Sequence, residues 1–330
     1  MSRVCLGCGI PLQSINTQEK GYVLSSKLGD AIYCQRCYRL KHYHEKTFDA
    51  LSFSNEEILE QAKKYQAPVY YFVDLLHLSD YAMQYFKQIS TYKVLVLTKV
   101  DLLSFSVSLE RLQKRIQELY GIQEEIICLS NKRPKMISTL WNHMCKQPSK
   151  KAVFLGMTNV GKSSFLNELF KLVFLRDAEV LVSEMPNTTQ NFLTWDLKDF
   201  QVIDAPGFAY PKNNMFIDSV MPKKFFHPVT LPMKPETFLL LEDFLAFQQD
   251  LEQNSITFYG SELLSLKRVY RCPYENCQTT NVTIPAFSDF VILGVGFFYF
   301  KKKTELTILS REEVDFEIRP SLFGGHYDSN

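Results

Sequence analysis

Residues 156–164 read GMTNVGKSS, and Gly156 and Gly161 followed directly by Lys162 and Ser163 fit the pattern GxxxxGK[ST]. The apolar run KAVFL precedes this stretch and SSFLNELFKLV follows it, so the glycine loop joins a strand to an amphipathic helix. That junction constrains the fold more than any other feature of the chain, because such a loop works only at the end of a strand in an α/β sheet. Glycines let the backbone amides of Thr158, Asn159, Val160 and Gly161 curl around a phosphate at the start of the helix. Lys162 would neutralise the β and γ phosphates, and the hydroxyl of Ser163, with Ser164 beside it, would ligate Mg²⁺.

Four further segments belong with this loop. DAPG at 204–207 ends an apolar strand, which puts Asp204 where a carboxylate approaches Mg²⁺ through water and leaves Gly207 free to turn its amide toward a γ-phosphate. TKVD at 98–101 follows the apolar run YKVLVL. There Asp101 can accept hydrogen bonds from guanine N1 and its amino group, Lys99 can pack its stem along the base, and Thr98 lies at the base edge. LSNKRP at 129–134 supplies Ser130, Asn131 and Lys132 as a segment that closes over the guanine. PNTT at 186–189 offers a switch hydroxyl that reaches Mg²⁺ only when a γ-phosphate is present, with Thr189 the first candidate and Thr188 the second. Together these features select GTP and disfavour a P-loop kinase.

The order is inverted, since the guanine-reading segments precede the phosphate loop. A GTPase domain is a cyclic arrangement of sheet elements, so a chain can enter at a different strand and still build one site. The expected fold is α/β: a circularly permuted P-loop GTPase domain with a cysteine-bearing N-terminal module and a strand-rich C-terminal domain. Strands are expected at PVYYFVD (68–74), YKVLVLT (92–98), EEIICLS (124–130), KAVFLG (151–156) and FQVIDAPG (200–207), alternating with helices and therefore parallel. The boundaries read as 1–46 for the N-terminal module, 47–210 for the GTPase domain, whose first helix starts at a capping box of Ser54 and Glu57, and 211–330 for the C-terminal domain. PKNNMFIDSVMPKKFFHPVTLPMKP, at the start of the last, reads as a linker or irregular excursion.

With 37 Lys and Arg against 36 Asp and Glu, any polyanion contact must be regional. Cys5, Cys8, Cys34 and Cys37 form two CxxC pairs, a spacing suited to Zn²⁺, with a redox pair or unliganded thiols as the alternative reading. A module of about 45 residues has too little core to stand without such a staple. Arg36, Arg39, Lys41, His42 and His44, interleaved with Tyr38 and Tyr43, suit RNA phosphates and bases, or form a solvated face. Cys272 and Cys277 leave three readings open: metal ligands, free thiols or a redox-sensitive pair. The N-terminus shows no signal pattern and the apolar run at 291–300 is half the roughly 20 residues of a membrane helix, so a monomeric cytoplasmic protein without a membrane partner is expected.

These motifs, in this order, resemble the YqeH-type circularly permuted GTPases. The similarity extends to CLGCGIPLQS and CQRCYRLKHY at the N-terminus and to FEIRPSL near the end. The resemblance implies a GTPase that acts in assembly of the small ribosomal subunit and binds ribosomal RNA or an assembly intermediate. Departures from the family pattern are Thr98 in place of Asn and Asn187 in place of Gly. Asn159 resembles the Asn with which potassium-dependent GTPases help hold K⁺. Phe208 stands where some GTPases place a water-orienting Gln, which predicts slow unassisted hydrolysis and keeps open a nucleotide-gated RNA-binding scaffold with little or no GTPase activity.

Overall fold

The computed structural model describes residues 11–15, 21–23, 28, 31, 53–76, 78–103, 107–174, 192–210, 228–242, 244–249, 254–261, 264–274, 277–293, 295–310 and 314–323. The chain divides into two compact units, Met1–Phe53 and Ser54–Asn330. Cys5, Cys8, Cys34 and Cys37, the basic and aromatic residues at 36–44, and PNTT with Asn187, Thr188 and Thr189 lie outside the described residues.

The second unit opens with helix α1 (Asn55–Lys63), and the expected capping box is present. The Ser54 hydroxyl accepts from the Glu57 backbone N–H at 3.1 Å, and the Glu57 carboxylate accepts from the Ser54 N–H at 2.7 Å. Strand β1 (Val69–Asp74) is buried along its whole length, with Tyr70, Tyr71 and Phe72 fully enclosed. A strand apolar on both faces must be covered on both, and α2 (Asp80–Gln88), α3 (Leu109–Tyr120), α4 (Pro134–Lys146) and α5 (Lys162–Phe174) supply the cover. The strands between them are β2 (Lys93–Thr98), β3 (Ile126–Cys128) and β4 (Lys151–Gly156), followed by β5 (Leu193–Leu197) and β6 (Phe200–Asp204).

These strands form one sheet in the order β3-β2-β1-β4-β6-β5. The five expected strands are mutually parallel. β5 is an addition that runs antiparallel to β6 and makes the edge, joined to it by a tight turn at Lys198, whose φ is +57°. Phe170 on α5 meets the Trp195 ring edge-on at 5.1 Å and covers that edge.

Residues 228–323 build two five-stranded sheets, ordered β16-β13-β14-β10-β7 and β11-β8-β9-β15-β12, with every pairing antiparallel. Their strands are β7 (Val229–Met233), β8 (Phe238–Leu241), β9 (Leu245–Gln249), β10 (Asn254–Gly260), β11 (Leu266–Val269), β12 (Gln278–Ile284), β13 (Ser288–Ile292), β14 (Gly296–Phe300), β15 (Thr304–Ser310) and β16 (Phe316–Pro320). Their inner faces share one core, in which Phe298 of one sheet packs against Phe247 of the other at 4.8 Å and against its neighbour Phe258 at 4.6 Å. The strand-rich expectation holds here, with one correction: VTLPM, read as part of an irregular excursion, is strand β7. It lies at a sheet edge, where Pro232 costs no ladder bond in the sheet interior. Cys272 and Cys277 form no disulfide, and Cys272 donates to the Tyr274 carbonyl at 3.3 Å.

The sandwich is tied to the α/β sheet through FEIRPSL. Glu317 on β16 accepts from the Asp80 and Tyr81 backbone N–H groups at 2.6 and 2.7 Å, capping the exposed donors at the start of α2. Arg319 is buried, pairs with fully buried Asp289 at 3.3 Å, and donates to the Leu78 carbonyl and to the Tyr120 hydroxyl. Arg115 adds two bonds to the Ser321 carbonyl at 3.0 and 2.9 Å. The C-terminal strand is therefore built into the flank of the α/β domain.

Candidate functional site

In an open α/β sheet, ligands collect at the carboxyl ends of the parallel strands, where the strand order reverses. Here each sequence-predicted segment inside the described residues leaves that end. Thr98–Asp101 follows β2, Ser130–Lys132 follows β3, Gly156–Gly161 follows β4, and Asp204–Gly207 follows β6. The order β3-β2-β1-β4-β6 sets the guanine-reading loops on one side and the phosphate-reading loops on the other.

The phosphate loop bends sharply against β1. Gly156 has φ +144°, and a Cβ on it would lie 2.1 Å from the Phe72 carbonyl oxygen, so no side chain fits. Asn159 and Gly161 also adopt positive φ, +62° and +98°. Lys162 begins α5 and is only 7% exposed; its ammonium folds back over the loop to the carbonyls of Gly156 and Met157 at 3.3 and 3.5 Å. Burial pulls the lysine's pKa down, opposed by the Asp204 carboxylate. Ser163 and Ser164 are exposed at the mouth of the helix.

Asp204 is the acidic partner. Burial pushes its carboxyl up to about 6, against the pull of Lys162. Its Oδ1 is enclosed without a hydrogen-bond partner. A buried carboxylate oxygen lacking a donor, beside a lysine and a glycine-lined loop, is a donor set that fits a hydrated Mg²⁺ held against a polyphosphate. Gly207 lies against the same loop, and a Cβ there would approach the Thr158 backbone to 2.8 Å. Phe208 is fully buried against Tyr85 and Tyr71, at ring distances of 4.9 and 6.0 Å. Its main chain continues the sheet: the Phe208 N–H donates to Gly156 O at 2.9 Å and the Thr158 N–H to Phe208 O at 3.0 Å. The ring is thus a core residue turned away from the loop mouth.

On the guanine side the structure revises one expectation. Thr98, read as a base-edge residue, is buried, and its hydroxyl faces the Val160 carbonyl at 2.5 Å and the Val73 carbonyl at 3.3 Å. It ties β2 to the phosphate loop. Lys99, at φ +57°, stretches its ammonium to the Asn159 carbonyl at 2.8 Å. The same ammonium pairs at 2.5 Å with Asp74, which is 1% exposed at the end of β1. Asp74 escaped the sequence reading because an Asp closing an apolar strand has no signature until its cation is known. Asn131 donates to the Gly161 carbonyl at 3.3 Å, and its Oδ1 is enclosed without a partner. Burial raises the Asp101 carboxyl, but hydrogen bonds from Lys132 and Ser130 and the lysine's charge outweigh it, so the group sits below the usual range and stays ionised. Ser130, fully buried, accepts from the Lys132 N–H at 3.2 Å and shapes that loop. Guanine-side and phosphate-side residues are therefore interlocked through Val160, Asn159 and Gly161.

One residue of this region carried no expectation at all. Asn55, first in α1, is buried; its Oδ1 accepts from the Ala209 N–H at 2.7 Å and its Nδ2 donates to the Ala209 carbonyl at 2.9 Å.

Comparison with known proteins bears on this site. Residues 77–213 match the RsgA GTPase family. The chain is 26% identical over 295 residues to the uncharacterized protein YqeH of Bacillus subtilis (strain 168), spanning 83% of this chain and 79% of that protein. It is 30% identical over 135 residues to GTPase Der of Aquifex aeolicus (strain VF5), spanning 36% of this chain and 28% of that one. Among solved structures, YjeQ from Thermotoga maritima aligns with a TM-score of 0.30 and 22% identity over 43% of this chain and 48% of that one. With the phosphate and guanine loops gathered around this sheet in permuted order, the RsgA GTPase match over residues 77–213 and the similarity to YqeH along most of the chain mark the protein as a GTPase.

Proposed function

We propose that this GTPase is a switch protein in assembly of the small ribosomal subunit, binding ribosomal RNA or an assembly intermediate in its GTP state and releasing it after hydrolysis. The observation that carries the nucleotide half is the interlock of TKVD and SNK with the phosphate loop, in which Thr98, Lys99 and Asn131 each bond to that loop's carbonyls. The ribosomal half is what the resemblance to the YqeH-type family implies, and the 26% identity to YqeH along 83% of the chain supports that resemblance.

In this reading Asp101 accepts from guanine, Lys99 lines the base, and Ser130, Asn131 and Lys132 close over it. Lys162 and the amides of Thr158 to Ser164 bind the phosphates. Ser163 and Asp204 hold Mg²⁺, with Thr189 joining them when a γ-phosphate is present. Mg²⁺, when bound, offsets charge on the β and γ phosphates. Gly207 turns its amide to the γ-phosphate, and Asn159 helps hold K⁺. Cys5, Cys8, Cys34 and Cys37 bind Zn²⁺ in an N-terminal module whose basic and aromatic residues contact RNA, and the sandwich at 228–323 adds a second surface. The protein works as a monomer in the cytoplasm; among the described residues no helix is long and apolar enough to cross a membrane.

Because Phe208 is committed to the core, the residue after DAPG supplies no group to orient water. Hydrolysis by the full chain is therefore expected to be slow alone, and faster in K⁺ than in Na⁺ when small ribosomal subunits are added. Rates that are equal in both salts, with or without small subunits and no different with large subunits, contradict the proposal.

A further inference from the structure

We propose that Asn55 is a positioning residue for the γ-phosphate response: a side-chain splice that joins the two ends of the permuted domain and holds Gly207 from behind. The inference rests on the reading of Gly207 given above. The domain begins at the α1 capping box and its last motif is DAPG, so permutation has cut the polypeptide between Ala209 and Asn55. In the unpermuted order a covalent chain would cross that gap, directly behind the segment that answers the γ-phosphate.

The structure closes the gap with hydrogen bonds between residues 154 apart in sequence. The Asn55 amide engages both the N–H and the carbonyl of Ala209, as a neighbouring strand would. The Tyr81 hydroxyl donates to the same carbonyl at 3.0 Å, and Asn55 Nδ2 lies 3.1 Å from the Tyr85 hydroxyl, which anchors the amide's orientation. Asn55 itself is fixed by the Ser54 and Glu57 capping box at the start of its helix. A buried asparagine in the first turn of a helix contributes little to helix stability for its own sake, so this amide's geometry points to Ala209 as the reason for it.

The consequence is mechanical. Phe208 is paired with the phosphate loop through both its N–H and its carbonyl, and Ala209 is held by Asn55, so the chain after Gly207 is fixed at two consecutive residues. Gly207 then presents its amide without first ordering the chain behind it, and GTP gains over GDP what an unclamped segment would lose to ordering. The splice is also breakable, as a peptide bond is not.

The test measures, on the full chain with Mg²⁺ present, dissociation constants for GDP and for a non-hydrolysable β,γ-imido GTP analogue, and kcat and KM for GTP. Asn55→Ala is expected to raise the analogue's constant about tenfold, the effect of one or two lost hydrogen bonds, and to lower kcat similarly, with GDP affinity within about twofold of the parent. Asn55→Asp keeps the acceptor for the Ala209 N–H but turns the donor to its carbonyl into a second acceptor that repels it; a shift in the same direction is expected, and this isosteric change serves should the alanine variant fail to fold. Weakening of both nucleotides alike, or a lower melting temperature with GTP preference intact, overturns the proposal and leaves Asn55 a structural residue. Gly207→Ala in the same assay separates the two readings. If it abolishes the preference while Asn55→Ala and Asn55→Asp do not, the splice fails and the Gly207 reading stands. If none of the variants changes the preference, the Gly207 reading fails with it.

Discussion

Lys162→Ala should lower kcat for GTP hydrolysis by about 10²-fold or more, the usual cost of deleting one preorganised charge from a site where negative charge develops. The ammonium is buried at the start of α5, and among the described residues it is held by loop carbonyls at 3.3 and 3.5 Å together with the charge of Asp204. A lysine so placed is desolvated at a cost that a polyphosphate repays. Its loss removes the ammonium lying over the Gly156 and Met157 carbonyls, and Ser163 and Asp204 cannot replace a positive charge. Steady-state turnover of the variant beside the parent is the check, with GDP affinity measured alongside to separate binding from chemistry. Turnover within a few-fold of the parent would mean that the loop does not hold the reacting phosphates.

Arg319→Ala should destabilise the unit spanning residues 54–330 by about 3–5 kcal/mol, because it leaves Asp289 buried without its cation. Burial already raises the Asp289 carboxyl even with Arg319 opposing it, so its charged form is costly in the folded chain. Removing the guanidinium raises that pKa further. The sign follows from linkage: a carboxyl with a raised folded-state pKa binds its proton more tightly folded than unfolded, so the variant's deficit is largest at neutral pH and shrinks as pH falls and Asp289 is protonated. Denaturant unfolding at pH 5 and pH 8 measures this. The same arginine bonds to Leu78 O and Tyr120, so its loss also loosens the sandwich from the α/β domain, and Arg319→Met with Asp289→Asn should recover much of the stability by leaving no orphaned charge. A deficit below about 1 kcal/mol and independent of pH would show that the ion pair is not what joins them.

The parallel strands were legible because each is a short apolar run between polar turns, and the helices because Ser54, Ser79 and Ser108 cap amphipathic stretches. The motif loops were legible because their function fixes residue types at fixed spacing. What escaped has a different physics. β5 is half-exposed and lies at an edge, so LTWDL carries no long apolar run. β7 contains a proline that argues against a strand anywhere except the edge it occupies. Asp74 and Asn55 act through partners 25 and 154 residues away, Lys99 and Ala209, and only the sheet order brings those partners near. The direction of the Thr98 hydroxyl, toward the Val160 and Val73 carbonyls, was not legible either, because residue type does not reveal which way a hydroxyl points.

Strand order rather than chain order gathers the loops, so the inverted order of motifs leaves the site intact. Asp101, a carboxylate that Lys132 and Ser130 keep ionised, is the residue proposed to read guanine at one end of the site, with the phosphates bound at the other. Equilibrium binding of a fluorescent GDP in Mg²⁺ and K⁺, competed by GTP, ATP and XTP, tests this most directly when the parent is set beside Asp101→Asn. GTP is expected to compete and ATP not to, and the variant to lose GTP affinity while gaining XTP, because an amide can donate to the xanthine oxygen that replaces the guanine amino group. ATP competing as well as GTP, or an unchanged preference in the variant, would contradict it.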